Sequence, residues 1–250
     1  MNIRELAITG ISFARQHAKR RLITEALDLK GQHGLEIGGP SKFFGLRGGF
    51  PVYLAAAQID GVNFSTDTIW EGKIKAGKTF NYYNGKVGEQ YIAEATDLRN
   101  IASASYDFLL SSHSLEHVAN PIKALKEWHR VLKPGSLLCL VLPDKEYTFD
   151  YKRPFTNLDH LMEDFNRGVD ENDSTHFNEI RIHHDKTKDP AMNAKEDLAE
   201  RLAQNFKTRS AHHHVFSLDL IHQLLDYCNF QTFHQQKMHP FHLITLARRR

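Results

Sequence analysis

The sequence predicts an α/β fold in which a mainly parallel sheet is covered by helices on both faces. Short apolar runs alternate with helical patterns between residues 33 and 142, and this rhythm is typical of parallel sheets. Leu137 to Leu142 is apolar at every position, as expected of a central strand with helices on each side. We assign the whole pattern to one domain, residues 1–250.

Shorter apolar runs before Leu137 predict the other parallel strands. These runs are Leu35 to Ile37, Val62 to Phe64, Gln90 to Ala93 and Tyr106 to Leu110. Residues 41–62 show no clear helical period, and residues 66–90 carry repeated glycine and asparagine turn signals. We therefore expect irregular structure over residues 66–90.

Three helices accompany these strands. Apolar residues recur at three- and four-residue steps over residues 3–30, which predicts an N-terminal helix that ends at Gly31. Asn120 and Pro121 suit the cap and the first turn of a second helix. A third helical pattern runs from residue 218 to residue 227.

Two further strands close the chain. They are Phe230 to Phe233 and Phe241 to Ala247, with His239 and Pro240 in the turn between them. We predict that they form a hairpin at the edge of the sheet, with an antiparallel final strand.

The rhythm of strands and helices is interrupted after Pro143. It is lost for about seventy residues, which is longer than an ordinary loop. Residues 144–200 contain 15 acidic and 8 basic side chains. We predict a mostly helical or irregular acidic insertion, residues 145–211, that follows the fifth strand and covers the active site.

The composition restricts the classes of function. The 250 residues include 32 basic and 30 acidic side chains, and this near-balance does not favour nucleic-acid binding. The longest apolar run is too short to cross a bilayer, and the first twenty residues lack the apolar core of a signal peptide. Cys139 and Cys228 each lie in an apolar stretch, which favours buried reduced thiols. We expect a cytoplasmic protein that acts on a small molecule, without a nucleic-acid or membrane partner.

Polar residues or glycines follow four of the predicted strands. They are Gly38 and Gly39 after the first, Asn63 in the second, Glu94 after the third, and Ser112 and His113 after the fourth. Parallel strands bring their carboxyl ends to one edge of the sheet, where ligands bind. The glycine pair departs from the Gly-x-Gly-x-x-Gly pattern of dinucleotide sites. These turns predict a crevice for a nucleoside ligand without phosphates.

Three stretches resemble the motifs of class I S-adenosylmethionine (SAM)-dependent methyltransferases. They are Leu35-Glu36-Ile37-Gly38-Gly39, Glu94-Ala95-Thr96-Asp97-Leu98, and Tyr106 to His117 followed by Arg130 to Gly135. The resemblance covers residues 33–144 by motif and residues 216–248 by topology. It implies a Rossmann-like sheet and SAM as the cofactor.

The resemblance also implies which residues hold the cofactor. They are Glu36, Gly38 and Gly39 at its amino-acid end, Asn63 at the ribose, Glu94 and Ala95 at the adenine, and Ser112 and His113 at the methionine part. Asn63 stands where the family has an acidic residue. Asp60 and Asp67 therefore remain alternatives for binding the ribose.

The predicted acceptor site draws on the insertion and on the segment after it. We assign acceptor binding to Asp150, Arg153, His160 and His212. An arginine can bind a carboxylate or phosphate through two hydrogen bonds. His113, His212 and His214 are candidate bases, because an imidazole titrates near neutral pH, and among them we favour His214.

Histidines are concentrated towards the end of the chain, where 11 of the 16 lie in the last hundred residues. His176, Glu179 and His183 are spaced as on one face of a helix, which suits metal ligands or a solvated helix, and we favour the solvated helix. His212 and His214 share a face if the chain is extended. They would then bind a divalent metal, act as a base or bond to backbone. We assign no residue as a metal ligand.

A narrower resemblance concerns the acceptor. Residues 60–71, 142–145 and 149–156 resemble methyltransferase-domain proteins found beside glycosyltransferases, which implies a saccharide-related acceptor. We expect SAM-dependent transfer of a methyl group to an oxygen or nitrogen of a small acceptor. The alternatives are a non-catalytic SAM-binding module of the same fold and a metal-dependent hydrolase that uses the His, Asp and Glu cluster. The sequence leaves the oligomeric state open.

Overall fold

The computed structural model describes residues 17–189, 192 and 197–250. Its strands are β1 (His33–Ile37), β2 (Gln58–Asn63), β3 (Asp67–Thr68), β4 (Gly72–Lys73), β5 (Gly77–Tyr83), β6 (Lys86–Ile92), β7 (Tyr106–Ser112), β8 (Leu132–Pro143), β9 (Phe230–Met238) and β10 (His242–Arg249). Strands β3 and β4 pair as a separate antiparallel ribbon. The other eight form one sheet.

Helices lie between the strands and within the insertion. They are α1 (His17–Asp28), α2 (Val52–Ala55), α3 (Pro121–Val131), α4 (Leu158–Arg167), α5 (Phe177–His183), α6 (Leu198–Ala203), α7 (Asn205–Thr208) and α8 (Leu218–Tyr227). In the part of the chain that the structure describes, no helix combines the length and the apolar character needed to cross a bilayer.

The strand order of the sheet fixes where a ligand can bind. The order is β5-β6-β2-β1-β7-β8-β10-β9, and the strands from β6 to β8 run parallel. The chain moves outwards from β1 to β2 and β6, and then returns to β7 on the other side of β1. This reversal opens a crevice at the carboxyl ends of the strands. The predicted Rossmann-like fold is confirmed.

The central strand β8 separates two hydrophobic cores. Leu138 and Leu140 belong to one core, and Leu137 and Cys139 belong to the other. Because side chains alternate along a strand, the two cores lie on opposite faces of the sheet. The apolar run from Leu137 to Leu142 therefore has the predicted place in the middle of the fold.

The expectation of irregular structure over residues 66–90 is wrong. Strands β5 and β6 pair there as an antiparallel hairpin at the edge of the sheet. Asn84 and Gly85 lie in its turn with φ values of 44° and 78°, as an Asn-Gly hairpin turn requires. Buried and exposed residues alternate along β5. Phe80 and Tyr82 are buried, and polar residues occupy the exposed positions between and before them.

The predicted helices around the sheet are confirmed where the structure describes them. Asn120 caps α3, and its side chain accepts a hydrogen bond from the Lys123 amide. Ser217 caps α8 in the same way through the Leu220 amide. Helix α1 begins at His17, and the predicted start at residue 3 lies outside the described residues. The closing hairpin of β9 and β10 is also as predicted.

The insertion contains four helices in the described residues, α4 to α7. Helix α4 starts after Asn157, whose side chain accepts from the His160 amide, and ends at Gly168 in the left-handed conformation. Ile180 and Leu202 belong to a small apolar cluster of the insertion. The insertion is therefore mostly helical and irregular, as the sequence predicts.

Trp128 joins helix α3 to the carboxyl edge of the sheet. Its side chain is fully buried against the first core. The indole Nε1 donates a 3.1 Å hydrogen bond to the carbonyl oxygen of Ala95 in the turn after β6. Trp128 thus supports both the packing of α3 and the position of that turn.

Two substitutions separate these contributions. Trp128→Ala removes a buried indole and is expected to lower the free energy of unfolding by about 3–5 kcal/mol. Trp128→Phe keeps most of the apolar contact and removes the hydrogen bond, so a loss of about 1 kcal/mol is expected. Urea denaturation measures both. Equal losses in the two variants would contradict this division.

Candidate active site

A cavity of about 690 Å³ lies at the carboxyl edge of the parallel strands. Its wall on the sheet side includes Ile37, Gly38, Val62, Asn63, Ala93, Glu94, Ala95, Ser112 and His113. The insertion and the segment after it contribute residues that include Tyr147, Phe149, Glu171, Arg209 and His212. Sites for small molecules and cofactors have volumes of about 300–1,000 Å³. The cavity therefore has the size and the place of a ligand site.

The glycine turn after β1 brings backbone to the cavity wall. Gly38 has a φ of +77°, and a Cβ on it would lie 2.3 Å from Ser114 Oγ. The Ser114 hydroxyl donates to the carbonyl oxygen of Ile37, and the Gly38 amide donates to the carbonyl oxygen of Val62. This turn requires glycine, because no side chain fits either its conformation or its surroundings.

Glu36 lies behind the turn and is not part of the cavity wall. Its Oε1 accepts a 2.8 Å hydrogen bond from the Ser41 amide, and its Oε2 accepts a 2.6 Å hydrogen bond from the Tyr53 hydroxyl. Burial raises the pKa of Glu36 to about 8, although both hydrogen bonds oppose this rise. Gly39 packs against the same carboxyl. Glu36 and Gly39 are thus placed to support the turn. Neither residue lies on the cavity wall, so the predicted direct contact with the cofactor is not available to them.

Asn63 is the ribose candidate that reaches the cavity. Its Nδ2 donates a 3.1 Å hydrogen bond to the carbonyl oxygen of Gly39. Asp60 is buried instead, where it accepts from the Tyr106 hydroxyl and pairs with His33. Asp67 is exposed on the small ribbon of β3 and β4. Of the three residues considered, only Asn63 lines the wall.

Arg209 connects the sheet edge to the insertion. Its Nη2 donates a 2.7 Å hydrogen bond to Glu94 Oε1, and its Nη1 lies 2.7 Å from Glu171 Oε2. Burial raises the pKa of Glu171 to about 7, although Arg209 opposes this rise. Burial also raises the pKa of Glu94. Sequence reasoning missed Arg209 and Glu171, because neither belongs to a pattern that connects it to the sheet.

His113 and Glu116 form a polar pair on the cavity wall. His113 has a φ of 54°, its Nε2 lies 2.9 Å from His242 Nδ1, and its Nδ1 lies 3.4 Å from Glu116 Oε1. Glu116 is buried, and neither of its carboxylate oxygens receives a hydrogen bond from the described residues. Burial opposes the negative charge, but His113 and the other nearby histidines lower the pKa of Glu116. A buried carboxylate with an oxygen, Oε2, that lacks a partner in the described residues thus lines the cavity.

His212 lines the cavity and is oriented by Asp150. The imidazole Nδ1 makes a short hydrogen bond with Asp150 Oδ2, and the ring packs between His117 and Phe149 at centroid distances of 4.7 Å and 4.6 Å. Burial lowers the pKa of His212, but Asp150 more than offsets this effect, so the pKa is raised. Despite its burial, Asp150 has a pKa lowered to about 2 by His212 and Arg153.

Arg153 is buried behind this pair and does not reach the cavity. Its guanidinium donates to Asp150 Oδ1 at 3.0 Å, to Glu179 Oε1 at 2.7 Å, and to the carbonyl oxygens of His212 and His213. Its predicted role in acceptor binding is not supported by this position, because all of its contacts lie within the protein. Asp150 is likewise absent from the cavity wall.

His160 and His214 lie together outside the cavity. His214 Nε2 donates to the carbonyl oxygen of Ala119 at 3.2 Å, and burial lowers its pKa well below the usual value. His212 packs on Phe149 and lines the cavity, whereas His214 packs on His176 and does not line it. His214 therefore does not reach the site where we expected it to act as a base.

The predicted face of His176, Glu179 and His183 does not form a ligand cluster. Helix α5 starts after His176, whose ring contacts His160 and His214. Glu179 bonds to Arg153 instead. Within the described ranges, the groups of possible metal ligands include neither Glu179 nor His183.

Aromatic side chains form part of the cavity wall. They are Phe64, Trp70, Tyr147, Phe149 and Phe241. Trp70 and Tyr147 are each about half exposed. Sequence reasoning did not select these residues, since an isolated aromatic residue in a loop carries no positional signal.

A comparison with protein families matches the same part of the chain. Residues 44–140 match a family model described as a methyltransferase domain. These residues include the turns after β2, β6 and β7 that line the cavity. None of the curated proteins compared with the chain is significantly similar in sequence.

Solved structures share the fold at low sequence identity. An S-adenosylmethionine-dependent methyltransferase from Mesorhizobium loti is 14% identical, with a TM-score of 0.52, over 93% of this chain and 96% of the other. The 1,6-didemethyltoxoflavin-N1-methyltransferase of Burkholderia thailandensis, with 1,6-didemethyltoxoflavin and S-adenosylhomocysteine bound, is 12% identical. Its TM-score is 0.50, and the alignment covers 100% of this chain and 91% of the other. These likenesses concern the fold alone.

Glu36→Gln tests the buried state of the carboxyl behind the glycine turn. The folded pKa is raised from 4.5 to about 8, so the unfolded chain loses this proton first as the pH rises. The wild type therefore loses stability between these two values. The neutral amide does not titrate. Between about pH 5 and about pH 8.5, the free energy of unfolding of the variant is therefore expected to fall by a few kcal/mol less than that of the wild type.

Urea denaturation across this pH range measures the difference. Glu200→Gln is the control, because Glu200 is an exposed carboxyl on α6. Parallel stability curves for the wild type and Glu36→Gln would show that Glu36 is ionised in the folded protein.

The family match, the strand order and the cavity agree with one another. The matched residues contain β2 and β7, the two strands that flank β1 at this edge of the sheet. This segment of the chain is similar to a methyltransferase domain, and the chain shares the fold of solved SAM-dependent methyltransferases.

Proposed function

We propose that the chain transfers the methyl group of SAM to an oxygen or nitrogen of a small acceptor. One observation carries the proposal: His212 lines the cavity while its Nδ1 is bonded to the buried Asp150. A histidine held in this way has one orientation and one tautomer, and its Nε2 is left to accept a proton. Such a base is what a hydroxyl acceptor needs.

The residues of the cavity wall fit the cofactor. The Gly38 turn brings backbone to the wall without a side chain, and Glu116 offers a buried carboxylate that lacks a donor. The amino group of a bound amino acid would supply that donor. We propose that Gly38 and Glu116 hold the amino-acid end of SAM, together with Ser112 and His113 beside its methionine part.

The nucleoside would lie along the ends of β2 and β6. Asn63 offers an amide to the ribose hydroxyls, in place of the carboxylate of the family. One oxygen of Glu94 is bonded to Arg209, and the other is available to the adenine amino group. The Ala95 turn, which Trp128 supports, lies beside this position. These assignments follow the motifs and the composition of the cavity wall.

The chain has two tasks in the reaction. Bound SAM supplies an electrophilic methyl group with a thioether leaving group, so the protein mainly aligns the acceptor. As the acceptor oxygen forms its bond to the methyl carbon and the carbon–sulfur bond breaks, the hydroxyl proton passes to His212 Nε2. Asp150 stabilises the resulting imidazolium. A methylated acceptor and S-adenosylhomocysteine are the products.

A saccharide hydroxyl is the acceptor class to test first. The aromatic wall that includes Trp70, Tyr147 and Phe149 provides flat apolar faces beside polar groups, and such a combination suits a sugar ring. The resemblance of residues 149–156 to proteins found beside glycosyltransferases supports the same class. Nitrogen acceptors form the second class, and they need no base when the nitrogen is uncharged.

Two observations favour the alternative of a SAM-binding module without turnover. Arg209 bridges Glu94 and Glu171 across the crevice, and Asn63 replaces the acidic ribose ligand. A protein with these features could retain cofactor binding after losing its reaction. Cofactor binding and product release distinguish the two functions.

Calorimetric titration of the full chain with SAM tests cofactor binding. Saturable binding at one site is expected, and Glu116→Gln is expected to weaken it by about tenfold or more through loss of a charged hydrogen bond. His222→Ala is the control, because His222 is exposed on α8. Absence of binding at near-millimolar SAM would overturn both functions and favour the metal-dependent hydrolase.

Release of S-adenosylhomocysteine with pools of saccharides, phenols and amines tests turnover. Release that depends on one pool supports the methyltransferase and identifies the acceptor class. Binding of SAM without release in any pool would favour the non-catalytic module.

Asp150→Asn and His212→Ala test the proposed base. With a hydroxyl acceptor, each is expected to lower kcat by about 10²–10⁴-fold, since the base is either removed or held in the wrong tautomer. The Kd for SAM is expected to stay within about threefold of the wild type. The double variant is expected to be no slower than His212→Ala. Multiplicative effects on kcat would show that the two residues act separately.

A further inference from the structure

Four side chains that the proposed reaction does not use meet where the insertion contacts the segment after it. They are His160, Asp164, His176 and His214, and each offers one ligand atom within 4.8 Å of the other three. His160 Nε2 lies 3.3 Å from His176 Nε2 and 3.3 Å from Asp164 Oδ2. His214 Nε2 lies 3.9 Å from the same carboxylate oxygen. The cluster lies outside the cavity wall.

These distances have the scale of a tetrahedral metal site. Zn²⁺ binds histidine nitrogen at about 2.0–2.1 Å and carboxylate oxygen at about 2.0–2.2 Å. Neighbouring ligand atoms of a tetrahedron with such bonds are separated by about 3.3–3.5 Å. Two of the distances in the cluster have this length. The 3.9 Å distance does not enter this comparison, because His214 Nε2 donates to the carbonyl oxygen of Ala119 and leaves Nδ1 as the nitrogen without a partner in the described residues.

The cluster contains buried atoms whose hydrogen-bonding capacity is not used. Asp164 is 1% exposed, and its Oδ2 receives no hydrogen bond within the described residues. His214 is equally buried, and its Nδ1 has no partner there either. A buried carboxylate oxygen without a donor is costly. A cation at the centre of the cluster would remove this cost.

The chemistry of the four side chains also suits a metal. Imidazole nitrogens and a carboxylate oxygen are ligands that zinc binds in proteins. The Nε2 atoms of His160 and His176 face each other, and at most one proton fits between them.

The surrounding backbone holds the cluster in place. His160 and Asp164 are one turn apart on α4, and the Asn120 side chain donates to the Asp164 carbonyl oxygen. His214 Nε2 donates to the carbonyl oxygen of Ala119, as a second ring nitrogen of a metal-bound histidine commonly does. The ligands thus come from α4, from the start of α5 and from the segment that returns to α8.

We propose that His160, Asp164, His176 and His214 form a structural site for a divalent transition metal of the zinc class. The site closes the coordination sphere with four protein ligands, which is typical of structural zinc. It joins two segments of the insertion to the segment that follows it. Because His214 follows His212 by two residues, the site also fixes the segment that carries the cavity histidine. The proposal does not depend on methyl transfer.

Metal analysis of the untagged full chain is the first test. Protein purified without chelators is expected to contain about one equivalent of zinc. After chelation, added Co²⁺ is expected to give the strong visible absorption of a four-coordinate ion. Less than about a tenth of an equivalent, together with no uptake of added Zn²⁺ or Co²⁺, would overturn the proposal.

Variants establish which residues bind the metal. His176→Ala and Asp164→Asn are expected to lose the bound metal, and the exposed His222→Ala is the matched control that retains it. His117→Ala probes a second group, Glu116, His117 and His212, whose ligand atoms also lie close together. Loss of metal from His117→Ala but not from His176→Ala would overturn the assignment.

Melting experiments separate loss of metal from loss of fold. In chelator, the wild type and Asp164→Asn are expected to melt within about 3 °C of each other. Added Zn²⁺ is expected to raise the Tm of the wild type by about 5 °C or more, and to leave that of Asp164→Asn unchanged. An equal rise in both proteins would contradict a site that includes Asp164.

Discussion

The position of the insertion depends on one buried cation, the guanidinium of Arg153. It is 1% exposed, and it bonds to Asp150, to Glu179 and to the carbonyl oxygens of His212 and His213. Asp150 lies near the start of the insertion, Glu179 near its middle, and His212 and His213 directly after its end, so the arginine links the part where the chain leaves the sheet edge to the part where it returns. Removal of one partner from a buried pair costs about 3–5 kcal/mol. The orientation of His212 towards the cavity follows from this network, because Arg153 fixes both Asp150 and the His212 backbone.

The sheet and the insertion divide the site between them. The sheet contributes the turns at the reversal of strand order, where Gly38 and Asn63 present backbone and an amide to the cavity. The insertion contributes aromatic and charged side chains opposite this edge. Arg209 joins the two parts through Glu94. The sheet-side wall corresponds to the shared fold of the matched family, whereas the other wall belongs to the insertion. We infer that the choice of acceptor is determined by the insertion.

The sheet was predictable from the sequence, because local signals determine it. Apolar runs marked the central strands, and a cap such as Asn120 marked the start of a helix. The β5–β6 hairpin was missed because apolar and polar residues alternate in its strands, which lie at an exposed edge of the sheet. The insertion was predictable only as an interruption in the alternation of strands and helices. Arg153 was expected to bind the acceptor and His214 to act as a base, but their partners are distant in sequence and no local pattern reveals them. His212 and Gly38, which the sequence assigned to the acceptor and to the cofactor, both line the cavity.

The central claim is that the cavity holds SAM with its reacting end towards His212. A crystal structure of the full chain with S-adenosylhomocysteine tests it most directly. The account predicts the amino-acid end beside Gly38 and Glu116, the adenine beside Glu94, and the sulfur on the side of the cavity that His212 lines. Electron density for the ligand outside this cavity, or with its sulfur turned away from His212, would contradict the account.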